Sequence, residues 1–413
     1  MNERISDLRA RTSRLPKAQL GFFPTPLYRL DRLSGELGIE LYIKRDDFTG
    51  MNLFGGNKVR KLTYLLGEAV RRGATHVITY GATQSNHAME TAAACRRLGI
   101  QPILYLTVVV EPEPASHRAN LLLDNVLGAE IHTVPILPGE TEEDADVRAA
   151  AMGAARAAEL NTEGKLCLDI PMGGASPLGS VGFADGMAEL AAQLEALDNL
   201  RLSKIYHATG TGGTMAGMHA GRTLLGSDVE IISVAASPKQ EEAYIDKVLR
   251  LCGEVLDLLG SDARPDRADL HLDLTQWQPG YEQPSAAASE AICLLARTEG
   301  LFVDPVYTGK ALAALLADVR SGKIAKGERV LFWHTGGATA LFAEPEILGK
   351  LYRCTLRFLR ILRTAISHRH PEEGCRYLFG IAPALTQLRP MYLTGTALKP
   401  GRLFSIIIVK YRN

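Results

Sequence analysis

The chain has 413 residues, of which 46% are hydrophobic and 22% charged, and its 46 basic residues balance 46 acidic ones. This composition is that of a soluble globular protein with two or three domains, and it offers no overall charge for binding nucleic acid or a membrane surface. The six cysteines form no CxxC pair, so we expect neither a metal site nor disulfides, and we expect a reducing, cytoplasmic environment. We expect no secretory signal and no membrane span, because no apolar stretch has the required position or length.

From about residue 40 to residue 345 the chain alternates β-rich and helical segments. Strands are predicted over 75–80, 102–110, 130–136, 204–209, 230–236 and 329–335, and helices over segments such as 88–99 and 183–197. Short β-branched strands that alternate with helices predict an α/β fold of two doubly wound domains with mainly parallel sheets. In such sheets, ligands bind in the loops that follow the carboxyl ends of the strands.

The segment FGGNKVRK (54–61) places a lysine behind two glycines at the predicted start of a helix. Asn57 is a favourable N-cap residue, so Lys58 is predicted on the first turn. Arg60 and Lys61 are neighbouring cations, and we expect them to lower the Lys58 pKa and to favour its neutral, nucleophilic form. Taken alone, the pattern is more often that of a solvated surface lysine.

A glycine-rich loop, TGTGGT (209–214), follows one predicted strand and opens a helix. Its glycines let backbone N–H groups approach a ligand closely, which is typical of a phosphate site. No GK[ST] follows, and the glycine spacing and the position of the next acidic residues do not fit a dinucleotide motif. The loop therefore favours a compact single phosphate, with a structural turn as the alternative.

Other loops after predicted strands carry polar or aromatic groups. SNH (85–87) offers the Ser85 hydroxyl and the Asn86 amide at a helix start, although Ser85 has a simple alternative role as an N-cap. YEQP (281–284) and DPVYTGKA (304–311) each present a tyrosine that could stack on a flat ring or move a proton, or merely pack. PMGGASPLGS (171–180) is rich in glycine and proline and is interpreted as a hinge between domains.

A lysine amine, a single-phosphate site, an aromatic platform and a hydroxyl donor are together the groups that pyridoxal 5'-phosphate requires. In the same order along the chain, GGNKVRKL, GATQSNH, TGTGGT, DPVYTGK and HTGG resemble the fold-type II pyridoxal phosphate enzymes, and FPTPLYRLDRLS (23–34) also matches. More closely, the chain is similar to the branch of D-cysteine desulfhydrases and 1-aminocyclopropane-1-carboxylate deaminases. The resemblance covers roughly residues 10–345.

The resemblance implies a role for individual residues in binding the cofactor. Lys58 would be the lysine that attaches pyridoxal phosphate covalently, and Asn86 would hydrogen-bond the ring hydroxyl. The loop that would hold the phosphate consists of Gly210, Thr211, Gly212, Gly213 and Thr214. Thr335, in HTGG, would face the pyridine nitrogen.

The resemblance also implies roles toward the substrate. Ser85 would contact the substrate carboxylate and help to move a proton, and Lys58 is the other candidate for taking the α-proton. Tyr307 would stack on the cofactor ring, and Tyr281 would lie over the substrate. With Lys58, Ser85, Tyr281 and Tyr307 we therefore have four candidate catalytic residues.

One position discriminates within the branch. The deaminases have a glutamate directly after the tyrosine of DPVY, and this chain has Thr308. A neutral hydroxyl near the ring nitrogen would leave the cofactor a weaker electron sink, which suits loss of a good β leaving group better than opening of a cyclopropane ring. Thr308 is thus expected among the cofactor-binding residues, and it points to β-elimination.

The resemblance implies a pyridoxal phosphate-dependent carbon–sulfur lyase that converts D-cysteine to pyruvate, hydrogen sulfide and ammonia by α,β-elimination. The enzymatic alternatives are a 1-aminocyclopropane-1-carboxylate deaminase and an L-cysteate sulfo-lyase. The alternative from another class is a protein that binds pyridoxal phosphate or an amino acid without turnover. The expected partner is a small amino-acid substrate, and the family implies a homodimer.

We predict a large cofactor-binding domain over 1–62 and 176–345, and a smaller inserted α/β domain over 63–175. The composition changes after residue 350: residues 351–413 carry 11 Lys and Arg against Glu372 and Glu373 alone. Arginines at helical spacing in this tail could form a basic helix that meets a membrane surface or an acidic partner. We favour instead an appended segment, 350–413, outside the catalytic fold, because it contains no further motif.

Overall fold

The structure, a computed structural model, describes residues 2–50, 52, 55–109, 117–283 and 285–343, so the predicted basic tail lies outside the described residues. Within them the helices are α1 (Asn2–Ser13), α2 (Asp31–Leu37), α3 (Asn57–Arg72), α4 (Asn86–Arg97), α5 (Ala119–Val126), α6 (Glu142–Thr162), α7 (Pro177–Ala196), α8 (Gly213–Leu225), α9 (Glu241–Leu258), α10 (Ala286–Glu299) and α11 (Thr308–Arg320). In this part of the chain, no helix has the length and apolar character to cross a bilayer.

The strands form two sheets. They are β1 (Leu27–Arg29), β2 (Glu40–Arg45), β3 (His76–Ala82), β4 (Gln101–Val108), β5 (Glu130–Pro135), β6 (Cys167–Ile170), β7 (Lys204–Thr209), β8 (Glu230–Ala235), β9 (His271–Asp273) and β10 (Arg329–His334). The larger sheet has the order β1-β2-β10-β7-β8-β9, and the smaller one has the order β5-β4-β3-β6. Only the pairing of β1 with β2 is antiparallel among these strands.

Helices cover both faces of the larger sheet, and the alternation of side chains along β10 shows this directly. Leu331 and Trp333 join a core cluster with residues of α1, α7, α8 and α9. Val330 and Phe332 join the cluster on the opposite face, with residues of α2, α10 and α11. A strand that is apolar on both faces is what a parallel sheet between two helical layers requires.

The smaller sheet is covered in the same way. Val77 of β3 packs with residues of α3 and α4, whereas Ile78 and Tyr80 pack against α6 on the other face. The α/β fold class with mainly parallel sheets is thus confirmed. Each of the six predicted strands is present, with ends displaced by at most two residues. β1, β2, β6 and β9 were not among the predicted strands. Three of them, β1, β6 and β9, have only three or four residues, too few for a recognisable pattern.

The glycine-rich segment 171–180 is more ordered than a linker. Its last four residues form the first turn of α7, which begins at Pro177, and the Ser176 hydroxyl caps the helix by accepting from the Gly179 N–H at 3.2 Å. The predicted helix start at residue 183 was therefore six residues late, because a proline at the first helical position resembles a loop signal in sequence. The role of the segment as a hinge stays a prediction.

The helix that carries Lys58 links the two sheets. Leu62 and Leu66 of α3 pack in the core beside the smaller sheet, and Tyr64 of the same helix packs in the core of the larger one. The larger sheet is built from residues 27–45 and 204–334, and the smaller one from residues 76–170. The domain boundaries at 62/63 and 175/176 stay predictions.

Candidate active site

A cavity of about 420 Å³ lies at the carboxyl ends of β3, β7 and β10, where loops from both sheets meet. The predicted site residues that line it are Lys58, Ser85, Asn86, Gly210, Thr211, Gly212, Thr214, Tyr281, Tyr307 and Thr335. Gly213 and Thr308, which were also predicted, are not part of its lining. The fold therefore brings residues of six sequence motifs around one cavity.

Lys58 lies on the first turn of α3, but the predicted N-cap is wrong. Gly56 is the N-cap, in an extended conformation, and Asn57 is the first helical residue. The Asn57 side chain donates from Nδ2 to Thr214 Oγ1 at 3.1 Å, and its Oδ1 accepts from Lys58 Nζ at 2.9 Å. Asn57 thus joins α3 to the glycine-rich loop and orients the lysine, instead of capping the helix.

Burial lowers the pKa of Lys58, and the carboxyl groups of Glu90 and Asp304 partly oppose this shift. The expected cause, the neighbouring cations, is wrong for Arg60. The Arg60 guanidinium forms buried ion pairs with Asp46 at 2.7 Å and Glu189 at 3.0 Å, and these carboxylates raise its own pKa against the effect of burial. It is thereby held in the core, away from the cavity lining.

Lys61 was not proposed as a site residue, yet it lines the cavity. It follows Lys58 by three positions, so both lie on one face of α3. Its Nζ donates to the Gly173 carbonyl at 3.0 Å, and burial, followed by the Lys58 charge, lowers its pKa well below the usual value. A methyl group on Gly213 would lie 3.0 Å from Lys61 Nζ, which places this amine at the start of α8.

The glycine-rich loop connects β7 to α8. Gly212 is the N-cap of α8 and has a φ of 95°, a conformation that favours glycine. The first turn of α8 begins at Gly213, so its free N–H groups and the helix dipole favour an anion there. Tyr244 supports the loop from behind: its hydroxyl lies 2.8 Å from Thr209 Oγ1 and donates to the Gly210 carbonyl at 3.0 Å.

Ser85 and Asn86 lie at the start of α4. Ser85 is the N-cap, and its Oγ accepts from the Ala88 N–H at 3.2 Å, so the structural role and the position in the cavity lining coexist. Asn86 Oδ1 accepts from Asn120 Nδ2 at 2.9 Å and from Thr339 Oγ1 at 3.0 Å. Since the side-chain oxygen already accepts two hydrogen bonds, the amide nitrogen of Asn86 is the group available to a ligand.

Tyr281 and Tyr307 form a pair in the lining. Their hydroxyl oxygens are 2.6 Å apart, and their rings meet edge to face with centroids at 5.9 Å. Burial raises the pKa of both, so both hydroxyls are protonated at neutral pH. One hydroxyl donates to the other, and the second is left with a proton to donate into the cavity.

Thr308 does not face the cavity, and the structure does not support its expected contact with a cofactor ring. Its side chain is fully buried, and its hydroxyl and N–H both bond to the Asp304 carboxylate. The same carboxylate accepts from the N–H groups of Val306 at 2.8 Å and Tyr307 at 2.7 Å. Thr308 and Asp304 together fix the turn that presents Tyr307. Thr335, by contrast, lines the cavity, and its contact with the pyridine nitrogen stays a prediction.

The part of the lining that sequence reasoning missed carries charge. Glu142 and Asp146 of α6 line one side, and Lys239 and Lys247 line another. Burial raises the pKa of Glu142, with Asp146 adding to the shift and Lys239 opposing it. No motif marks these residues: Glu142 and Asp146 lie in the first two turns of α6, Lys239 in the loop before α9 and Lys247 within α9, and only the tertiary fold places them around one cavity.

The chain resembles proteins of known activity over most of its length. Residues 18–336 match the family model described as pyridoxal-phosphate dependent enzyme. D-cysteine desulfhydrases from Salmonella newport (strain SL254) and Salmonella paratyphi A are each 39% identical over 339 residues, which are 81% of this chain and 98% of those proteins.

Solved structures agree with this assignment. The structure of a protein described as an ACC deaminase homologue has a TM-score of 0.73 and 34% identity, covering 83% of this chain and 98% of that one. Threonine deaminase isoform 2 from Solanum lycopersicum shares the fold alone, with a TM-score of 0.56 and 16% identity over 82% of this chain and 90% of that one. The chain belongs to the family of pyridoxal-phosphate dependent enzymes.

Proposed function

We propose that the protein is a carbon–sulfur lyase that converts D-cysteine and water to pyruvate, hydrogen sulfide and ammonia. The observation that carries the proposal is the meeting, in one cavity, of the Lys58 amine, the glycine-rich loop of α8 and the Tyr281–Tyr307 pair. The identity to D-cysteine desulfhydrases over 98% of their length supports the choice of substrate.

The residues of the cavity fit pyridoxal phosphate. The start of α8 with the Lys61 amine beside Gly213 suits its phosphate, and the available amide nitrogen of Asn86 suits its ring hydroxyl. Lys58 would attach the cofactor covalently, and Tyr307 and Thr335 would border its ring. When bound, the cofactor supplies an electron sink for the bond that breaks at the substrate α-carbon.

The protein's own groups would move the protons and hold the substrate. The lowered pKa of Lys58 favours a neutral amine, which can accept the α-proton of the substrate. Ser85, at the start of α4, would bind the substrate carboxylate, because the helix N-terminus favours a negative charge. The protonated Tyr281–Tyr307 pair would donate a hydrogen bond toward the leaving group or carboxylate.

The test is the reaction itself. Purified full-length protein with added pyridoxal phosphate is expected to release pyruvate and sulfide from D-cysteine in equal amounts, faster than from L-cysteine. The Lys58→Ala variant is expected to release neither product. After loading with pyridoxal phosphate and dialysis, it is also expected to lack the yellow absorbance that the wild type retains. A loaded wild-type protein that forms no pyruvate from saturating D-cysteine would contradict the proposal.

A deaminase of 1-aminocyclopropane-1-carboxylate is the second candidate, because the ACC deaminase homologue has a similar structure over 98% of its chain. Ammonia release from that amino acid, compared with sulfide release from D-cysteine, separates the two. Ammonia from the cyclopropane substrate with no sulfide from D-cysteine would favour the deaminase. Sulfite release from L-cysteate tests the remaining lyase in the same assay.

We also propose the domain arrangement, the oligomeric state and the location predicted from sequence. The inserted segment 63–175 would move against the remainder to exclude water, and the protein would act as a cytoplasmic homodimer. A mass of twice the 44.8 kDa chain by light scattering is the expected result for the dimer. Protection of the 171–180 backbone from hydrogen exchange on substrate binding would support the closure.

A further inference from the structure

Lys310 is a buried cation that the proposed reaction does not use. It lies in the first turn of α11, three residues after Tyr307, and its side chain is 0% exposed. The N-terminal end of a helix dipole disfavours a positive charge, and burial of an ammonium group costs free energy unless hydrogen bonds compensate for it. Neither the helix nor the burial therefore accounts for a lysine at this position.

The Lys310 amine binds three backbone carbonyls. Its Nζ donates to the carbonyl of Ala236 at 3.1 Å, to that of Trp277 at 3.1 Å and to that of Gly280 at 2.9 Å. Burial lowers its pKa to about 8, with the Asp304 charge opposing the shift, so at neutral pH the group is mainly an ammonium. An ammonium has three N–H groups, one for each carbonyl. The three acceptors thus suit the charged form better than a neutral amine.

These carbonyls belong to two loops beside the cavity. Ala236 follows β8, and the next residue, Ser237, lines the cavity. Trp277 and Gly280 precede Tyr281, and the Gly280 carbonyl belongs to the peptide bond that leads into Tyr281. The amine thereby fixes the backbone from which the Tyr281 side chain enters the cavity lining.

The first turn of α11 also supplies the hydroxyl that Tyr281 meets. Tyr307 is the N-cap of this helix, and its hydroxyl oxygen lies 2.6 Å from that of Tyr281. α11 therefore holds Tyr281 at two points: the hydroxyl through Tyr307 and the preceding peptide through Lys310. Because Lys310 is not part of the cavity lining, it acts on a ligand through the backbone that it binds.

We propose that Lys310 is a positioning residue that aims the Tyr281 hydroxyl at the substrate by binding the carbonyls of the two loops. The inference rests on the proposed function, in which the Tyr281–Tyr307 pair donates toward the substrate. Hydrogen bonds depend steeply on distance and angle, and a displacement of about 1 Å at a reacting group can lower a rate about 100-fold. Without the Lys310 amine, three carbonyls lose their donor, and the loop that carries Tyr281 is released.

The first measurement is a double-mutant cycle on kcat for D-cysteine, with the full-length protein loaded with pyridoxal phosphate. Lys310→Met is expected to lower kcat about 10–100-fold in the wild-type background, because Tyr281 is no longer held. In the Tyr281→Phe background, the same substitution is expected to leave kcat nearly unchanged, because the hydroxyl that Lys310 positions is already absent. A purely structural role would give equal fold losses in both backgrounds.

The second measurement follows the loop without turnover. The chain contains two tryptophans, and Trp333 is fully buried whereas Trp277 is partly exposed, so quenching by acrylamide reports mainly on Trp277. Lys310→Met is expected to steepen this quenching in the absence of substrate, because the Trp277 carbonyl loses its donor. This readout needs no activity, so it decides the role of Lys310 even if D-cysteine is not turned over, a result that would overturn the proposed function instead.

The matched control is Lys44→Met. Lys44 is equally buried and also donates to a backbone carbonyl, that of Thr25 at 2.7 Å, but it belongs to the ion-pair network of Glu189 in the core. The substitution is expected to lower stability, to change kcat by the same factor in both Tyr281 backgrounds and to leave the quenching of Trp277 unchanged.

Equal fold losses of kcat in the two Tyr281 backgrounds would overturn the proposal. Unchanged quenching in Lys310→Met would do so as well, and so would a Lys44→Met variant that reproduces both effects. If Lys310→Met does not fold, Lys310→Gln replaces it, since its amide retains two N–H donors and is expected to give the same pattern with a smaller loss of kcat. Equal losses in both backgrounds for that variant count against the proposal in the same way.

Discussion

The two faces of α3 both bury basic side chains, but with opposite effects on their pKa values. On the cavity face, burial lowers the pKa of Lys58 and Lys61, and the nearby acids compensate only in part. On the core face, Arg60 is 4% exposed and is held by Asp46 and Glu189, so its pKa is raised. The three residues lie within four positions of the chain and occupy the same helical turn.

The difference shows how one helix separates stability from chemistry. Arg60 joins a network in which Lys44 also contacts Glu189, and Trp333 Nε1 donates to Asp46 at 2.8 Å, so every charge has a partner. The two lysines lack such compensation, and the neutral amine that results is the reactive form. The core face fixes the helix, and the cavity face keeps its amines free for a ligand.

The largest effect is expected from removing the reactive amine. Lys58→Ala should reduce turnover of D-cysteine at least ~10³-fold, because it removes the group proposed to hold the cofactor and to move the α-proton. Sulfide release and absorbance of the dialysed protein measure the two losses. Lys326→Ala, at an exposed lysine, serves as the control and should keep full activity. A Lys58→Ala protein that stays yellow and active would contradict the assignment of Lys58 as the lysine that holds the cofactor.

Breaking the core face is expected to unfold the protein more easily. Arg60→Met leaves Asp46 and Glu189 as buried carboxylates without this partner, which should lower the free energy of unfolding by about 3–5 kcal/mol. Urea denaturation measures the change. Arg71→Met, at an exposed arginine on the same helix, should leave stability nearly unchanged. Equal midpoints for the two variants would show that the buried network does not stabilise the fold.

Changing the second cavity lysine should weaken cofactor binding without this loss of stability. Lys61→Met removes the amine beside Gly213. Loss of its hydrogen bond to the charged phosphate is expected to raise the Kd for pyridoxal phosphate ~10–100-fold. Titration of the absorbance on adding cofactor measures it. Lys165→Met, at an exposed lysine, is the control. Unchanged affinity in Lys61→Met would remove this residue from the phosphate site.

The stability of Lys61→Met also has a pH dependence of known sign. Because the folded-state pKa of Lys61 is lowered, the unfolded chain binds more protons than the folded one between that pKa and the ordinary value of 10.5. Wild-type stability therefore rises with pH across this window, and the variant should lack that rise. Thermal unfolding at several pH values compares the two. Parallel curves would mean that Lys61 is not buried as an amine.

The smallest effect is expected from the link between the helix and the glycine-rich loop. Asn57→Ala removes the bond to Thr214 Oγ1 and the acceptor of Lys58 Nζ, and each bond contributes about 1 kcal/mol. A double-mutant cycle with Thr214→Val isolates the first bond, with an expected coupling of about 1 kcal/mol in unfolding experiments. Strict additivity would show that the two side chains do not interact.

Sequence patterns located most of the residues that line the cavity, but not the protonation or the hydrogen-bond partners of their side chains. GGNK, SNH and TGTGGT are local signals, since glycine and N-terminal helix residues are needed wherever a backbone approaches a ligand. Lys61 was within reach of the same reasoning, because it follows Lys58 at helical spacing. Tyr244 had no such signal, because it acts across the fold on a loop that is distant in sequence. Thr308 was misplaced, because its partner Asp304 turns its hydroxyl inward.

The sequence by itself determined the α/β class, the positions of six of the ten described strands and the loops that carry polar groups, since these depend on periodicity and on residues with local conformational preferences. Only the tertiary structure decided which cations are neutralised by carboxylates and which are left as amines. That outcome depends on burial and on partners contributed by other elements, such as Asp46 and Glu189 for Arg60. Electrostatic energies follow distance in space, not separation along the chain.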